Sequence, residues 1–400
     1  MIDTLAWIVV GASLVPAHRS AWQVSRSLLV SLVTVEAVAL ALLVLAGAST
    51  DAWMAVAQED GVVEWATVVA FVMAAGWLVL VVRKESPSWW FKGACFLLAT
   101  FCIVIAGEEI SWGQRLLRFK PPDVFLERNF QQELNLHNVL MHEGGLGFKL
   151  ESKHLVMAIV LGFGLAWPWL VRRARFKVFA PLAPPFALAP LALGVLAIQI
   201  DYPVALTGEG AELIVGLIFL ASALAATRLS ARAVAGWLLA PVLVGWLVST
   251  VLARVVFGSD EEGTRTAAAE LAVLQADVVK GVTEELARKN VHKRVYTAVL
   301  DGYLELSGGA FLQGQGTPAR PAGLAERKDR LGYFLDPWNN PYWVHFDKGT
   351  RTGSLYSFGP NRRRDVAIRK GTSAPGDDII VRFTLGAALP AITGSPPAGD

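Results

Sequence analysis

Cysteine is nearly absent from this chain of 400 residues: only Cys95 and Cys102 occur, both inside one apolar run. That excludes a disulfide framework and a cysteine-ligated metal cluster, and the two thiols read as small buried apolar residues. Charge is scarce as well. Charged residues make up 18% of the chain, below the ~25% of ordinary soluble domains. The formal net charge of +2 gives no electrostatic footprint for nucleic acid. No glycine-rich phosphate loop, dinucleotide fingerprint or serine nucleophile elbow is present, and Gly144-Gly145 and Gly308-Gly309 read as turns. Met1-Ile2-Asp3 lacks the basic start of a cleaved signal peptide, the first basic residue being Arg19.

What the chain has is long apolar runs. Hydrophobic residues reach 54%, most of the excess lying before residue 257. A bilayer core of ~30 Å needs about 20 apolar helical residues. Stretches 28–48, 62–82, 93–108, 155–171, 179–200, 210–226 and 233–256 meet or approach that length, which predicts about seven spans. Residues 4–17 are apolar but short, and make an eighth only if they cross. The run 179–200 carries Pro181, Pro184, Pro185 and Pro190, so it is expected to kink or to begin late.

Basic residues divide the connecting loops into two sets. One holds Arg19, Arg26, Arg83, Lys84, Lys92, Arg172, Arg173, Arg175, Lys177, Arg228 and Arg232 against the single acid Glu85. The alternate loops, 49–61 and 201–212, have no Lys or Arg and carry Asp51, Glu59, Asp60, Asp201, Glu209 and Glu212. The positive-inside rule makes the first set cytoplasmic. Residues from 257 onward are then expected on the other side.

Polar residues accumulate at that outer face: Glu64 and the pair Glu108-Glu109, then Asn129, Gln131, Glu133, Asn135, His137 and Asn138 in the balanced loop 109–154, followed by His142, Glu143 and His154. Carboxylates at a bilayer boundary are costly unless paired or hydrated. If the third span continues past the interface, Glu108, Ser111, Trp112 and Arg115 share a face; if 130–142 is helical, Glu133 and His137 pair at i, i+4. A period-two polar face over 129–137 fits the same residues. Three readings stay open: a hydrogen-bond network closing the bundle, a headgroup or ion site, and a hydrolytic or transferase centre. The last would use Glu108, Glu109, Glu133, His137 and His142, with zinc or another transition metal. Glu36, alone within the first long span, pairs inside the bundle or serves transport. The runs GEEISWGQR and NLHN resemble those of polytopic bacterial membrane proteins, a resemblance that implies no activity.

Residues 258–385 read as a soluble domain and 386–400 as a disordered Pro/Gly-rich tail. A helical pattern starts at Thr264 and runs through Leu271, Leu274, Val278, Val282, Leu286, Val295 and Val299 to the Ser307-Gly308-Gly309 break. Three strand-like runs follow, Tyr342–Phe346, Leu355–Phe358 and Ile379–Phe383, the first two joined by a hairpin loop at 347–351. The order Asp336-Pro337-Trp338-Asn339-Asn340-Pro341-Tyr342, Tyr356-Ser357-Phe358-Gly359-Pro360-Asn361 and Gly376-Asp377-Asp378-Ile379 resembles the globular domain of the major pseudopilins of type II secretion systems. The resemblance covers roughly 265–383. It implies a long helix with a small antiparallel sheet, a periplasmic location, and calcium held by Asp377 and Asp378, with Ser373 as a further ligand. Arg362-Arg363-Arg364 and Asn361 depart from that pattern and weaken the calcium expectation in favour of an Asp–Arg salt-bridged loop.

The fold class expected is therefore a polytopic helical bundle, residues 1–257, joined to a pseudopilin-like α+β domain in a bacterial inner membrane. Without the basic leader and assembly sequence of pilins, the chain is not expected to be a filament subunit. The leading functional expectation is an interaction or scaffold component of an envelope or secretion-related assembly, with envelope proteins and the lipid bilayer as partners. The alternatives are a membrane-embedded metal-dependent hydrolase or transferase acting on a lipid-linked substrate, and a transporter.

Overall fold

The computed structural model describes residues 2–57, 60–84, 88–117, 133–136, 152–199, 208–227, 229–256, 260–300, 302–304, 335–338, 340–360 and 378–385, with isolated positions between 119 and 125. The chain separates into two compact units, Met1–Val256 and Phe257–Asp400.

The first unit is helical. Its helices are α1 (Ile2–Val24), α2 (Arg26–Ala48), α3 (Thr50–Ala57), α4 (Val62–Lys84), α5 (Trp89–Glu109), α6 (Gln114–Leu117), α7 (Ser152–Ile159), α8 (Trp167–Leu170), α9 (Ala189–Ile198), α10 (Gly208–Ala225) and α11 (Ala231–Val251). Ser25, Ser88 and Ser230 cap α2, α5 and α11 by accepting from the backbone N–H three residues on. Five helices among the described residues are long and apolar enough to cross a membrane: Arg26–Ala48, Ala55–Arg83, Trp89–Glu109, Gly208–Ala225 and Ala231–Val255. A sixth candidate is the pair Phe176–Leu182 and Phe186–Ile198, bent by 58°. Pro184 and Pro185 occupy the break, where neither can donate to a helical ladder. The stretch expected at 155–171 is the shorter apolar helix His154–Leu170, with a π-helical segment over Val160–Ala166. Residues 4–17 lie within α1, which is 23 residues long.

Helix α4 is the centre of the bundle and packs against α5, α10 and α11. Helix α10 is buried on nearly every face, as a helix apolar all round should be. Its Phe219 ring stacks on Phe163 at 3.9 Å and lies 5.5 Å from Phe101 and 5.7 Å from Phe71.

The second unit has a long helix, α12 (Glu261–Lys280), on a four-stranded antiparallel sheet. The strands are β1 (Val291–Arg294), β2 (Trp343–Asp347), β3 (Thr352–Ser357) and β4 (Ile379–Thr384), in the order β1-β2-β3-β4. The last three match the runs read from sequence. The helical pattern expected from Thr264 to Ser307 does not persist as one element. It ends at Lys280 and resolves into α13 (Glu284–Arg288), β1 and α14 (Val295–Leu300). The physical reason is that Val291 and its neighbours pair with Phe346 across the sheet, a long-range ladder that overrides local periodicity. Ala267, Leu271, Leu274 and Val278 form the buried stripe of α12, which packs on β3 and β4.

Gly353 is required where β3 faces Phe383: a Cβ there would sit 2.1 Å from the ring. Gly353→Ala is expected to cost the second unit about 2 kcal/mol through overpacking. A urea-gradient proteolysis of the full chain, read at sites in 257–400, measures it; an unchanged midpoint would refute the close-approach argument.

Candidate functional site

The site begins where α5 ends. The helix stops at Glu109, and Ile110 to Gly113 fold into a tight turn closed by a 2.8 Å bond from the Gly113 N–H to the Ile110 carbonyl. Ser111, Trp112 and Gly113 all have positive φ, at 47°, 53° and 78°. Consecutive left-handed non-glycine residues cost roughly 1–2 kcal/mol each, so surrounding contacts must hold the turn in place. The condition that α5 continues past the interface is not met, because the turn redirects the chain after Glu109.

Three contacts hold it. Ser111 Oγ donates to Glu133 Oε2 at 2.8 Å, and Trp112 Nε1 donates to Glu108 Oε1 at 2.7 Å. The Trp112 ring lies over Gly107, where a Cβ would approach it to 3.0 Å. Glu108 is buried and accepts a second bond, 2.7 Å, from the Leu136 N–H. Its backbone carbonyl accepts from Asn135 Nδ2 at 3.2 Å, and Gln114 Oε1 accepts from the Leu134 N–H at 2.6 Å. Glu108, Ser111, Gln114 and Glu133 thus pin segment 133–136 onto the end of α5. Both Glu108 oxygens are engaged in positioning backbone and indole, as a buried carboxylate requires.

Glu109 meets a different environment. One ligand oxygen each from Glu109, Glu209 and Glu212 lie within 4.8 Å of one another. Glu209 stands in the first turn of α10 and Glu212 three residues on; Glu209 is exposed and the other two are half-buried, so the group opens to the surface. Glu109 and Glu212 are within hydrogen-bond reach, and Glu64 on α4 is near enough to act on Glu109 electrostatically. Glu64 itself accepts from the Asp60 N–H, Asp60 has a φ of 57°, and its carbonyl accepts a 2.8 Å bond from Ser249 on α11. Helices α4, α5, α10 and α11 therefore converge on one carboxylate-rich end of the bundle.

Oxygens bound to one Mg²⁺ or Ca²⁺ at about 2.0–2.6 Å stand at most about 5 Å apart, so the three carboxylates fit a single coordination sphere. The donor set is all oxygen, which suits a hard cation rather than a thiolate- or imidazole-preferring one. Sequence reasoning placed Glu64, Glu109, Glu209 and Glu212 at this face but did not select Glu209 and Glu212 as site residues. The i, i+3 spacing of Glu209 and Glu212 at a helix start was the available signal.

His137 and His142 lie outside the described residues, as do Asp377 and Ser373 of the expected calcium loop. Asp378 is half-buried and directly precedes β4. Comparison with protein-family models, with curated proteins and with solved structures gives no match.

Proposed function

We propose that this chain is an integral inner-membrane protein whose bundle binds a hard divalent cation at Glu109, Glu209 and Glu212. On this reading the cation centre belongs to a metal-dependent hydrolase or transferase acting on a lipid-linked substrate at the extracytoplasmic face. The observation that carries it is the convergence of three carboxylates from two spanning helices within 4.8 Å. Like charges so close are unstable at a membrane boundary without a proton or cation between them. A bound divalent ion would polarise a phosphoryl or acyl oxygen and lower the pKa of a bound water. The surrounding residues supply the frame: the Glu108–Trp112 and Ser111–Glu133 bonds fix the end of α5, and the Ser249–Asp60 bond fixes the start of α4. The loop charges favour an extracytoplasmic side for the Glu centre and for residues from 257 onward, whether the spans number seven or eight.

The test is cation binding to detergent-purified full-length protein by calorimetry and elemental analysis, with Mg²⁺, Ca²⁺, Mn²⁺ and Zn²⁺ as probes. Loss of an outer-shell partner typically costs 10–100-fold in metal affinity, so removing a direct ligand in Glu109→Gln or Glu212→Gln should cost at least about 100-fold. Hydrolysis of lipid-linked phosphates would fall in parallel. A wild-type protein that binds none of the four ions would end this reading.

A second reading is favoured by the helix-on-sheet architecture of residues 260–385. There the pseudopilin-like unit serves as an interaction or scaffold module of an envelope assembly, with calcium near Asp378. It is supported if partner capture survives Glu109→Gln but is lost on surface changes within 336–383.

A further inference from the structure

Helix α1 carries His18 and α2 carries Glu36, eighteen residues apart in sequence, and their side chains meet at 2.8 Å between His18 Nε2 and Glu36 Oε2. At ~1.5 Å per residue, Glu36 lies about 15 Å from one end of α2 and about 18 Å from the other, close to the middle of a bilayer core. The contact brings the His18 ring, on α1, within reach of that carboxylate. We propose that His18 and Glu36 form a proton-binding site inside the bundle, holding one proton that exchanges with the aqueous side marked by Arg26. The site is separate from the carboxylate centre and rests only on the membrane reading of the bundle.

Three observations carry this. First, the two oxygens of Glu36 differ: Oε2 meets His18, whereas Oε1 is buried with no hydrogen-bond partner among the described residues. A lone carboxylate so placed would be charged and half-solvated in an apolar layer, which is why intramembrane ionisable groups mark functional positions. Second, the surroundings supply little other charge. Helix α1 packs on α2, α9 and the turn Phe186–Leu188; α2 also packs on α3, α10 and α11. Helix α9 and that turn have no titratable residue, and α10 has only Glu209 and Glu212, near its N-terminal end. Helix α11 has only Arg232, in its first turn, α3 has only Asp51, and α1 and α2 add Asp3, Arg19 and Arg26. Third, His18 is six residues from Val24, so about 9 Å of helix separates it from the basic end of the bundle, and its ring remains partly exposed.

Proton exchange here is balanced within the pair. A proton on His18 Nε2 passes along the hydrogen bond to Glu36 Oε2, leaving neutral imidazole and a carboxylic acid, or returns to give imidazolium and carboxylate. Net loss to water leaves one negative charge on the pair.

The experiment is infrared pH-difference spectroscopy of full-length protein in lipid vesicles, in ordinary and deuterated buffer. The wild type should show a carboxylic-acid band that shifts on deuteration, vanishes in Glu36→Gln and is displaced in His18→Ala. Imidazole bands should change in Glu36→Gln. The conservative pair Glu36→Asp and His18→Gln guards against a folding defect. A carboxylic-acid spectrum indifferent to all four variants, or a Glu36 band that never deuterates, overturns the proposal. Either result is independent of cation binding at Glu109.

Discussion

Asp336→Ala is expected to destabilise the C-terminal unit by about 4 kcal/mol, because it removes the buried acceptor that serves three donors. Asp336 is fully buried. Its Oδ1 accepts from the Trp338 N–H at 3.0 Å and the Asn340 N–H at 2.8 Å, and its Oδ2 accepts from Ser357 Oγ at 2.7 Å. Ser357 in turn accepts from the Gly359 N–H at 3.0 Å. One carboxylate therefore shapes the Asp336–Asn340 turn and ties it to the end of β3. The turn is also fastened to α12: Trp338 Nε1 donates to Asp260 Oδ2 at 3.1 Å, and the Tyr342 hydroxyl donates to buried Glu270. A loss of that size is a large share of the 5–15 kcal/mol that holds a typical domain together. Asp336→Asn should cost less, about 1–2 kcal/mol, since one oxygen still serves the two N–H groups while the amide faces a serine already committed as an acceptor. Urea-gradient proteolysis of the full chain, read within 257–400, orders the variants as wild type, Asn, then Ala. If the Ala variant unfolds at the wild-type midpoint, the turn is not the keystone the hydrogen bonds describe.

That turn also shows how far the sequence could be read. Asp-Pro-Trp-Asn-Asn-Pro-Tyr announces turn chemistry and a following strand, and β2, β3 and β4 fall where alternation and β-branched or aromatic residues place them. Strand β1 is different. Val291–Arg294 is four residues long, sits within what reads as a continuing helical pattern, and pairs with a strand some fifty residues later. Nothing local encodes that pairing. The long apolar helices were legible because runs of about twenty apolar residues leave a helix little alternative. The bend at Pro184-Pro185 was legible for the same kind of local reason. The candidate site was legible only as a face. Sequence placed Glu64, Glu108, Glu109, Glu133, Glu209 and Glu212 at one end of the bundle, yet could not say that Glu108 would turn to Trp112 and Leu136 while its neighbour Glu109 joined α10. The left-handed Ser-Trp-Gly turn that separates their roles carries non-glycine residues at two positions where turn rules favour Asn or Gly. His18 likewise gave no sign of its partner, because α1 and α2 meet by packing rather than by motif.

Helix α11 offers the sharpest contrast between pattern and packing, and the second large effect is expected there. Gly236 and Gly245 lie on the same apolar helix, and composition cannot distinguish them. A Cβ on Gly236 would meet nothing within 4 Å, whereas one on Gly245 would come to 2.5 Å from the Ala66 nitrogen and 2.8 Å from its Cα. The obstacle is backbone of α4, which cannot rotate away as a side chain can. Gly245→Leu must push the two helices apart, at about 3 kcal/mol or more. The displacement also reaches the carboxylate end. Ser249, one turn beyond Gly245, bonds the Asp60 carbonyl, and the Asp60 N–H bonds Glu64. Gly245→Leu should therefore lower both the thermal stability of the detergent-solubilised protein and its cation affinity, while Gly236→Leu leaves both near wild type. Small residues at such crossings let membrane helices approach where no hydrophobic force drives them together, so the close contact is itself a source of affinity. Equal behaviour of the two leucine variants would mean that the α4–α11 crossing does not organise the site. A Gly245→Leu protein that melts early yet binds cation normally would separate bundle stability from the carboxylate centre, and leave α5 and α10 alone to hold it.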